Sequence, residues 1–543
     1  MKTFSKQNAP KNFQEHLTVL SNANLLTTID HPINKDSELH PLVRWQFQGG
    51  LKEQDRRAFL FNNVVDYEGR RYEIPVAVGA YAASPAIYAA GLGVRIEDIG
   101  DVWVRGMANP IKPELVKTGP CQEIVLLKED LQRSGGGMAT LPVPISTPGF
   151  DAAPYLTATL VISKDPETGI QNMGTYRGML KSQDRLGVRM AARLGGAGGY
   201  QHWLKYKERN QKMPVAIVVG CAPAILFTGP QKLPLNQDEL AVAGGLIGQP
   251  VTSIKCKTVD LEVPSDSEIV IEGEISTDYL EPEGPFGESH GHVALEDFNM
   301  SMQITAITSK KKPVFASIIS QVTPSESSVL KKVAYEPLYM SHLKSVLNIK
   351  GISGVVMHEP LTNIRKVIFL KFNRSAPQTE VWRGLHGAAN LQAQCGKVVI
   401  AVSEDIDPNN ADAVFWSIAY RSNINTDLSV TGYRSGGHGP KSGSGGSDGT
   451  LLIDATLKHD MPPLALPGKE YMERAREIWE TLNLPSIAPQ APWYGYELGD
   501  WDQKWTEFAK QAVKGKWTEN STDSFERRVD GIKPETPTRN IKS

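Results

Sequence analysis

The sequence predicts a chain of several domains in which α/β segments flank a strand-rich centre. Three observations predict it. The 543 residues, at about 150 per domain, ask for two to four units. Residues 150–320 hold short apolar runs separated by turn residues, with few helices. From about residue 325 strands and helices alternate again. With 40% hydrophobic and 22% charged residues, the composition is that of a globular chain able to bury a sizeable core.

Taken in order, NFQEHLTVLSN (12–22) reads as a helix and NLLTTID (24–30) as a strand, and short elements alternate to about residue 130. LPVPISTPGFDAAPY (141–155) is Pro-rich and uncharged until Asp151, an entry into a second unit. TATLVIS (157–163) and IQNMGTYRGML (170–180) flank KDPETG and predict a hairpin. VAIVVG (215–220) and the alternating SEIVIEGEIS (267–276) continue the strands, giving an antiparallel sheet or barrel. KVIFLKF (366–372) and KVVIAVSEDID (397–407) are strands, and NNADAVFWSIAYR (409–421) is a helix with a proline, Pro408, at its first turn. EYMERAREIWETLNL (470–484) is an amphipathic helix closed by Pro485. Beyond 490, Trp501, Trp505, Phe508 and Ala512 form a helical apolar stripe, which either docks on a core or makes an oligomer contact. The final PETPTRNIKS reads as a frayed end.

Several functions are disfavoured. The 58 basic and 60 acidic residues nearly cancel, which argues against nucleic acid or a membrane surface as main partner. Cys121, Cys221, Cys256 and Cys395 are far apart, without CxxC or metal spacing, and read as buried thiols in a reducing compartment. The first residues lack the apolar core of a signal peptide, and the uncharged run 77–94 is broken by Ser84-Pro85, so a soluble cytoplasmic protein is expected. GGGM (135–138), LGGAGGY (194–200) and RSGGHGPKSGSGGSDG (434–449) lack a strand–GxGxxG–helix context. The last places Arg434 and Pro440 where a P-loop requires glycine, and reads either as an anion-wrapping run or as a plain loop. His202, His290, His292 and His438 are dispersed, with no HExxH and no nucleophile elbow.

EPEGPFGESHGH (281–292) is the most pointed stretch. Gly284, Pro285 and Gly287 rule out a helix, so Glu281, Glu283 and Glu288 lie either in a turn with incidental acids or in a loop holding two carboxylates near one atom. With Asn172, Arg177 and Glu239 they form a candidate set, although each alone is equally a solvated or salt-bridged surface group. An Asn oxygen and a Glu carboxylate suit a divalent cation bridging a phosphate. An Arg beside two carboxylates favours their ionised forms, while repulsion and burial push one to hold a proton, which a coupled pair can deliver on demand. On a continuous strand Asn172 and Arg177 face opposite sides. They serve one site only if Gly174 marks a bulge or the ligand lies across the strand edge.

NMGTYR (172–177), DELAVAGGLIG (238–248), LEVPSDSEIVIEGEI (261–275) and EPEGPFGESHG (281–291) resemble the signature of UbiD-type decarboxylases, which use prenylated FMN. PCQE (120–123), VFWSIAYR (414–421) and KSGSGGSDGTLLIDAT (441–456) extend the likeness over most of 15–485 in the right order. The resemblance implies an N-terminal α/β domain (1–135), a flavin-reductase-like split β-barrel holding prenylated FMN (136–322) and a C-terminal α/β domain that oligomerises (323–490). A Trp-rich tail (491–543) is left over. It further implies Mn2+ or another divalent ion on Asn172 and Glu239, a nearby K+, and cofactor contacts from Gly174, Thr175, Tyr176, Arg177 and, more loosely, Lys441. Many members carry a histidine where this chain has Arg193, which cannot coordinate a cation but can bind the flavin phosphate directly, giving a metal-free variant of the same reading.

The implied activity is reversible, non-oxidative decarboxylation of an aromatic, heteroaromatic or α,β-unsaturated carboxylic acid, releasing CO2. The substrate is expected to add to the prenyl-modified ring, Glu288 to protonate the carbon that loses CO2, and Arg177 and Glu283 to set its pKa and position. Lys331 and Lys332 either meet a further anionic group of the substrate or lie on the surface. A flavin prenyltransferase would supply the cofactor, and a homo-oligomer, dimer or hexamer, is expected. Two rivals are an ordinary FMN-dependent oxidoreductase and a non-catalytic subunit of a carboxylase complex.

Overall fold

Alternating apolar residues in the centre of the chain pair into a nine-stranded antiparallel sheet. The computed structural model describes residues 9–190, 197–231, 233, 237–358, 366–392, 396–435, 447–458, 461–487, 501–531, 533 and 535. The strand path runs Gln171–Gly174, Thr159–Lys164, Met213–Val219, Ile269–Glu283, Asp297–Ser309, Arg185–Val188, Gly178–Ser182, Tyr155–Leu156, with Ile124–Leu127 also paired to Asp297–Ser309. The expected hairpin forms around KDPETG, with Ile162 opposite Met173 and Gly169 at φ +73° in its turn.

The predicted strand 170–180 is in fact two. Gln171–Gly174 pairs with Thr159–Lys164, whereas Gly178–Ser182 pairs with Arg185–Val188 and Tyr155–Leu156. The strand propensity of Thr175 and Tyr176 yields to two sets of distant partners. These halves are the first and seventh strands of the path, yet only three residues join them, a reach of about 14 Å from Gly174 to Gly178. The sheet therefore bends round until its two ends are near each other, although among the described residues its path is not closed by strand pairing. The longest strands, Ile269–Glu283 and Asp297–Ser309, shift register between Glu272 and Gly273. A Cβ on Gly273 would lie 2.2 Å from the Gln303 carbonyl oxygen, so a glycine is required where the ladder slips.

N-terminal to this sheet, Leu26–Ile29, Ala58–Phe61 and Val76–Val78 form a mixed sheet that gains its last strand, Phe315–Ser317, from much later in the chain. One buried cluster runs from Phe13 to Ala334 across both sheets. The helix Glu326–Ser341 leaves this core and enters the next: Val329 and Leu330 belong to the first cluster, Tyr335 and Tyr339 to the second. Its buried Glu326 accepts N–H bonds from Gly79, Tyr81, Ala82 and Ile319, fastening the helix to the N-terminal sheet.

The C-terminal sheet has the order Ile352–Met357, Val367–Phe372, Val398–Ser403, Ser447–Ala455, Leu428–Ser435, with apolar clusters on both faces. The helix expected over 409–421 starts at Ala411. Asn410 caps it by accepting from the N–H groups of Asp412 and Ala413, so Pro408 lies before the first turn rather than in it. The helix predicted at 470–484 occupies Lys469–Thr481. In the tail, Lys504–Val513 packs on Trp517–Glu526, and Trp501 and Trp505 stack edge to face but stay exposed, so the stripe does not dock on a core among the described residues. Cys121 and Cys221 are buried as expected and Cys256 is half-buried, while Cys395 lies outside the described residues. No described helix is long and apolar enough to cross a membrane.

One close helix contact bears on the site. Glu239–Ile247 crosses Ile99–Ala108 so tightly that a Cβ on Gly245 would sit 2.4 Å from the Gly106 carbonyl oxygen. Gly245→Ala should force the helices apart and cost about 1–3 kcal/mol. A lowered denaturant midpoint in equilibrium unfolding would register it; an unchanged midpoint would mean that the contact yields freely.

Candidate active site

Arg177 ends the three-residue connection between the two ends of the sheet. Its guanidinium is 9% exposed and makes a two-pronged bond to Glu283, Nε to Oε1 at 2.7 Å and Nη2 to Oε2 at 2.8 Å. The remaining nitrogen, Nη1, donates to Glu288 Oε2 at 2.7 Å. Phe286 lies against the guanidinium, ring centroid 4.5 Å from its carbon, with Tyr155 beyond at 5.9 Å. Stacking on an aromatic face fixes the plane in which the fork can donate.

The loop reaches Arg177 twice through a local fold the glycines permit. Glu283 is the last residue of its strand, opposite Asp297, and is fully buried. Gly284 turns the chain at φ +107°, where a side chain would be strained. Phe286–Gly287 then pairs with Val293–Ala294, and a turn closed by Gly291 N–H to Glu288 O at 3.0 Å presents Glu288. Asp151 holds this hairpin by accepting from Gly287 N–H at 2.7 Å and Thr147 N–H at 2.7 Å. The loop is thus no turn with incidental acids. Glu281, by contrast, pairs with Arg185 at 2.8 Å.

The electrostatics correct one expectation. Burial alone would raise the Glu288 carboxyl, but the charge of Arg177, the Ser289 N–H and the charge of Arg189 together hold it below the usual range. Glu288 is therefore a carboxylate in this arrangement, not the protonated member of a pair. Burial and the neighbouring Glu283 charge push the Tyr155 phenol up, so it stays a hydrogen-bond donor.

At the far end of the same segment, Glu239 meets the chain at Met173, next to Asn172. Glu239 Oε2 accepts from Met173 N–H at 3.0 Å, and Asn172 lies so close to Gly198 that a Cβ there would be 1.9 Å from Asn172 Oδ1. Gly198 opens the helix Gly198–Glu208, whose N-terminus thus faces Asn172. The Asn172 amide nitrogen is buried without a hydrogen-bond partner. Burial pushes the Glu239 carboxyl up to about 7. Tyr176 lies beside this group: its hydroxyl accepts from Gly199 N–H at 3.4 Å and faces the Asn172 amide. Thr175 N–H donates to Gly229 O at 3.4 Å, and Gly174 passes so close to the Tyr176 ring that a Cβ would be 2.5 Å from its oxygen. Asn172 and Arg177 need not share a strand face, since the strand ends between them. Their Cα atoms are within about 18 Å of each other by chain reach alone.

Arg193 and Lys441 lie outside the described residues. His202 is engaged by Ser163 Oγ at 2.9 Å, and Lys332 reaches toward Asn409 Oδ1 at 3.5 Å. Sequence reasoning passed over Asp151, Tyr155, Phe286, Arg189 and Asn299, whose Nδ2 donates to Glu283 Oε2 at 3.3 Å. Only Asp151 carried a signal, as the one charge in a long uncharged stretch.

With this geometry in hand, comparison with known proteins defines a class. Residues 114–322 match the 3-octaprenyl-4-hydroxybenzoate carboxy-lyase Rift-related domain, and residues 328–455 match the C-terminal domain of the same carboxy-lyases. An uncharacterized protein of Synechocystis is 31% identical over 389 residues, 70% of this chain and 72% of its own length. The UbiD-class enzyme HmfF of Pelotomaculum thermopropionicum, solved with FMN, superposes with a TM-score of 0.75 at 25% identity, covering 86% of this chain and 99% of that one. The apo 3,4-dihydroxybenzoic acid decarboxylase of Enterobacter cloacae has the same fold, with a TM-score of 0.73, 21% identity and coverage of 92% and 99%. The chain belongs to the UbiD family of carboxy-lyases, with their multidomain α/β fold.

The raised Glu239 carboxyl has a signed consequence for stability. Its folded-state pKa of about 7 exceeds the ordinary 4.5, so its contribution is fully present below 4.5 and is lost as pH rises through about 7. In cofactor-free protein, Glu239→Gln should therefore gain stability over the parent at pH 8 by on the order of 1–3 kcal/mol, and much less at pH 5. Thermal unfolding at the two pH values checks this, and equal differences at both would refute it.

Proposed function

We propose that this chain catalyses the reversible, non-oxidative decarboxylation of an aromatic, heteroaromatic or α,β-unsaturated carboxylic acid, with prenylated FMN as cofactor and Glu288 as proton donor. The observation that carries the reading is the Arg177 guanidinium shared between a fully buried Glu283 and a partly accessible Glu288. The described residues fit the cofactor. Asn172 offers an amide with an unpartnered buried nitrogen, Glu239 a carboxyl that desolvation holds near neutrality, and Gly198 a helix N-terminus, together suited to a phosphate and a divalent cation. No group of three His, Cys, Asp or Glu among the described residues is placed to hold a metal, so Mn2+ here would take Asn172 and Glu239 and complete its shell from the cofactor and water. K+ is proposed close by. Arg193 and Lys441 are retained as cofactor contacts on the family pattern alone.

Prenylated FMN, when bound, supplies the electron sink that makes loss of CO2 possible. The chain's residues supply the rest. A substrate carboxylate entering beside Arg177 competes with Glu288 for Nη1, and its charge raises the proton affinity of Glu288. Glu288 then takes up a proton. The C–C bond to the carboxyl breaks, CO2 leaves, and the proton on Glu288 passes to the carbon that lost it, so that RCOO− and H+ become RH and CO2. In the carboxylating direction the ionised Glu288 of the resting site is already the base required. Glu283 keeps the guanidinium in plane throughout, and Phe286 and Tyr155 exclude water from its face.

The near meeting of the sheet's two ends supports a split barrel around the flavin. We retain 1–135, 136–322, 323–490 and 491–543 as domain boundaries, the third as the oligomerising unit of a cytoplasmic homo-oligomer, and a flavin prenyltransferase as cofactor source. The similarity to a 3,4-dihydroxybenzoic acid decarboxylase lends the fold, not the substrate.

The test is mass spectrometry of flavin released from protein co-produced with a flavin prenyltransferase, with metal analysis, on the parent and Glu288→Gln. Both should carry prenylated FMN and about one divalent ion per chain, and in a screen of aromatic acids only the parent should turn over, a loss of at least about 100-fold. Prenylated FMN without metal would transfer the phosphate to Arg193. Plain FMN with NAD(P)H oxidation would replace this reading by an oxidoreductase, and unchanged turnover in Glu288→Gln would remove Glu288 from the reaction.

A further inference from the structure

The strand pair that presents Glu288 has two faces. Neighbouring side chains of an extended segment point to opposite sides, so Phe286 and Glu288 turn toward Arg177 while Gly287 turns away from it. The space behind Gly287 is filled by other parts of the chain. A Cβ there would lie 2.0 Å from Thr147 Oγ1 and 3.2 Å from Gln321 Cγ, and a Cβ on Gly291 would lie 3.8 Å from Val322 Cα. Gln321 and Val322 are thus the backing on which the turn carrying Glu288 rests.

That backing belongs to the connection between the strand Phe315–Ser317 and the helix Glu326–Ser341, and Val322 is exposed on it. A helix from the N-terminal part of the chain, Leu39–Gln48, fastens it. Arg44 donates from Nη1 to Val322 O at 2.8 Å and from Nη2 to Gln321 Oε1 at 3.1 Å. Gln48 Nε2 adds longer bonds to the Val322 and Pro324 carbonyls, both 3.4 Å. Gln321 is buried and its Nε2 has no hydrogen-bond partner, so its amide is anchored through the oxygen alone. Arg44 makes no ion pair among the described residues. Burial lowers its pKa to about 10, which leaves it charged at neutral pH. Its planar fork spans two acceptors on adjacent residues, which a lysine could not do.

We propose that Arg44 is a positioning residue for the reaction: by fixing Gln321 and Val322 it keeps Glu288 seated against Arg177. The inference rests on the proton-donor role assigned above to Glu288. Asp151 ties the backbone of the hairpin, and Arg44 fixes what stands behind it. Without that support the glycines of the loop let the hairpin fall back, and the proton is delivered from the wrong distance. Arg44 acts through the backing and needs no contact with substrate.

The test uses the full-length holoenzyme and the substrate found by the screen, with rates taken per bound prenylated FMN. Arg44→Met should lower kcat about 10-fold or more while KM moves less than about twofold, since a donor is displaced but binding is not. Arg44→Lys, which can keep one of the two bonds, should restore part of the rate. Gln321→Met keeps the methylene behind Gly287 and removes only the bond to Nη2, so it should cost less than Arg44→Met, and the double variant should be no slower than Arg44→Met alone. A general loss of stability would lower cofactor content and the unfolding temperature without this split or this lack of additivity. A parent-like kcat in Arg44→Met, or losses that simply add in the double variant, overturns the proposal. Should Arg44→Met fail to fold, a parent-like kcat in Gln321→Met overturns it equally. If Glu288→Gln is inactive while Arg44→Met is normal, only the backing role fails; if Glu288→Gln turns over normally, the proton-donor reading itself falls.

Discussion

One guanidinium holds the centre of this molecule together. Glu283 is fully buried, and its carboxyl is met by the two-pronged bond from Arg177, by the Asn299 amide and by the Tyr155 hydroxyl. Removing one partner of such a pair ordinarily costs roughly 3–5 kcal/mol, since the other is left charged in a poor dielectric. The pair also has a geometric effect. Arg177 sits where the two ends of the main sheet approach, and Glu283 ends a central strand of the same sheet, so their bond joins an end of the path to its middle. With one carboxylate committed to structure, the guanidinium has a single free edge, and Glu288 occupies it.

The same burial that makes the pair strong separates the carboxylates of the site. Glu239 meets only the N–H groups of Met173 and of its own backbone and no positive partner among the described residues, so desolvation wins and its proton affinity climbs to about 7. Glu288 is desolvated too, but two arginines and a backbone N–H outweigh burial, and its affinity falls. Two acids of one type, joined by the segment 172–177, are thus driven in opposite directions by what faces them. A carboxyl held near neutrality without a cation awaits a positive ligand, whereas one held ionised by an arginine changes state when another anion arrives. Their division of labour follows from this contrast more directly than from their place in the loop.

Much of the fold was legible locally. The hairpin around KDPETG, the strand at 213–219 and the helix 13–22 follow periods and turn residues that act over a few positions. The break at 175–177 was not legible, because nothing in Thr-Tyr-Arg opposes extended backbone, and the division is imposed by partners from 155 to 188. That break also dissolves the apparent conflict between Asn172 and Arg177, which had been measured along a strand that does not exist. At the site, the acids and the arginine stood out through their glycine and proline setting. Asn299 and Arg189 did not, since one is an ordinary strand residue and the other lies just past the end of Arg185–Val188, and the meaning of each comes from a residue distant in sequence. Proton affinities were hardest to anticipate: the sequence shows two glutamates near an arginine, but which is raised and which lowered depends on burial and on backbone N–H groups that only the folded chain aligns.

The loop 281–292 shows why its composition is so particular. Gly284 must turn with positive φ directly after a buried charge, and Gly287 must pass Thr147 so closely that a Cβ would lie 2.0 Å from its hydroxyl. Both constraints shorten the path from Glu283 to Glu288 enough for the two carboxylates to meet one guanidinium, which a helix or a regular strand could not do at a spacing of five. Asp151 then removes the freedom the glycines introduce, by binding the Gly287 N–H. Flexibility in the chain and rigidity in the site are therefore compatible. The glycines permit a backbone that no other residue allows, and two carboxylate bonds, one to an arginine and one to an amide, hold it there.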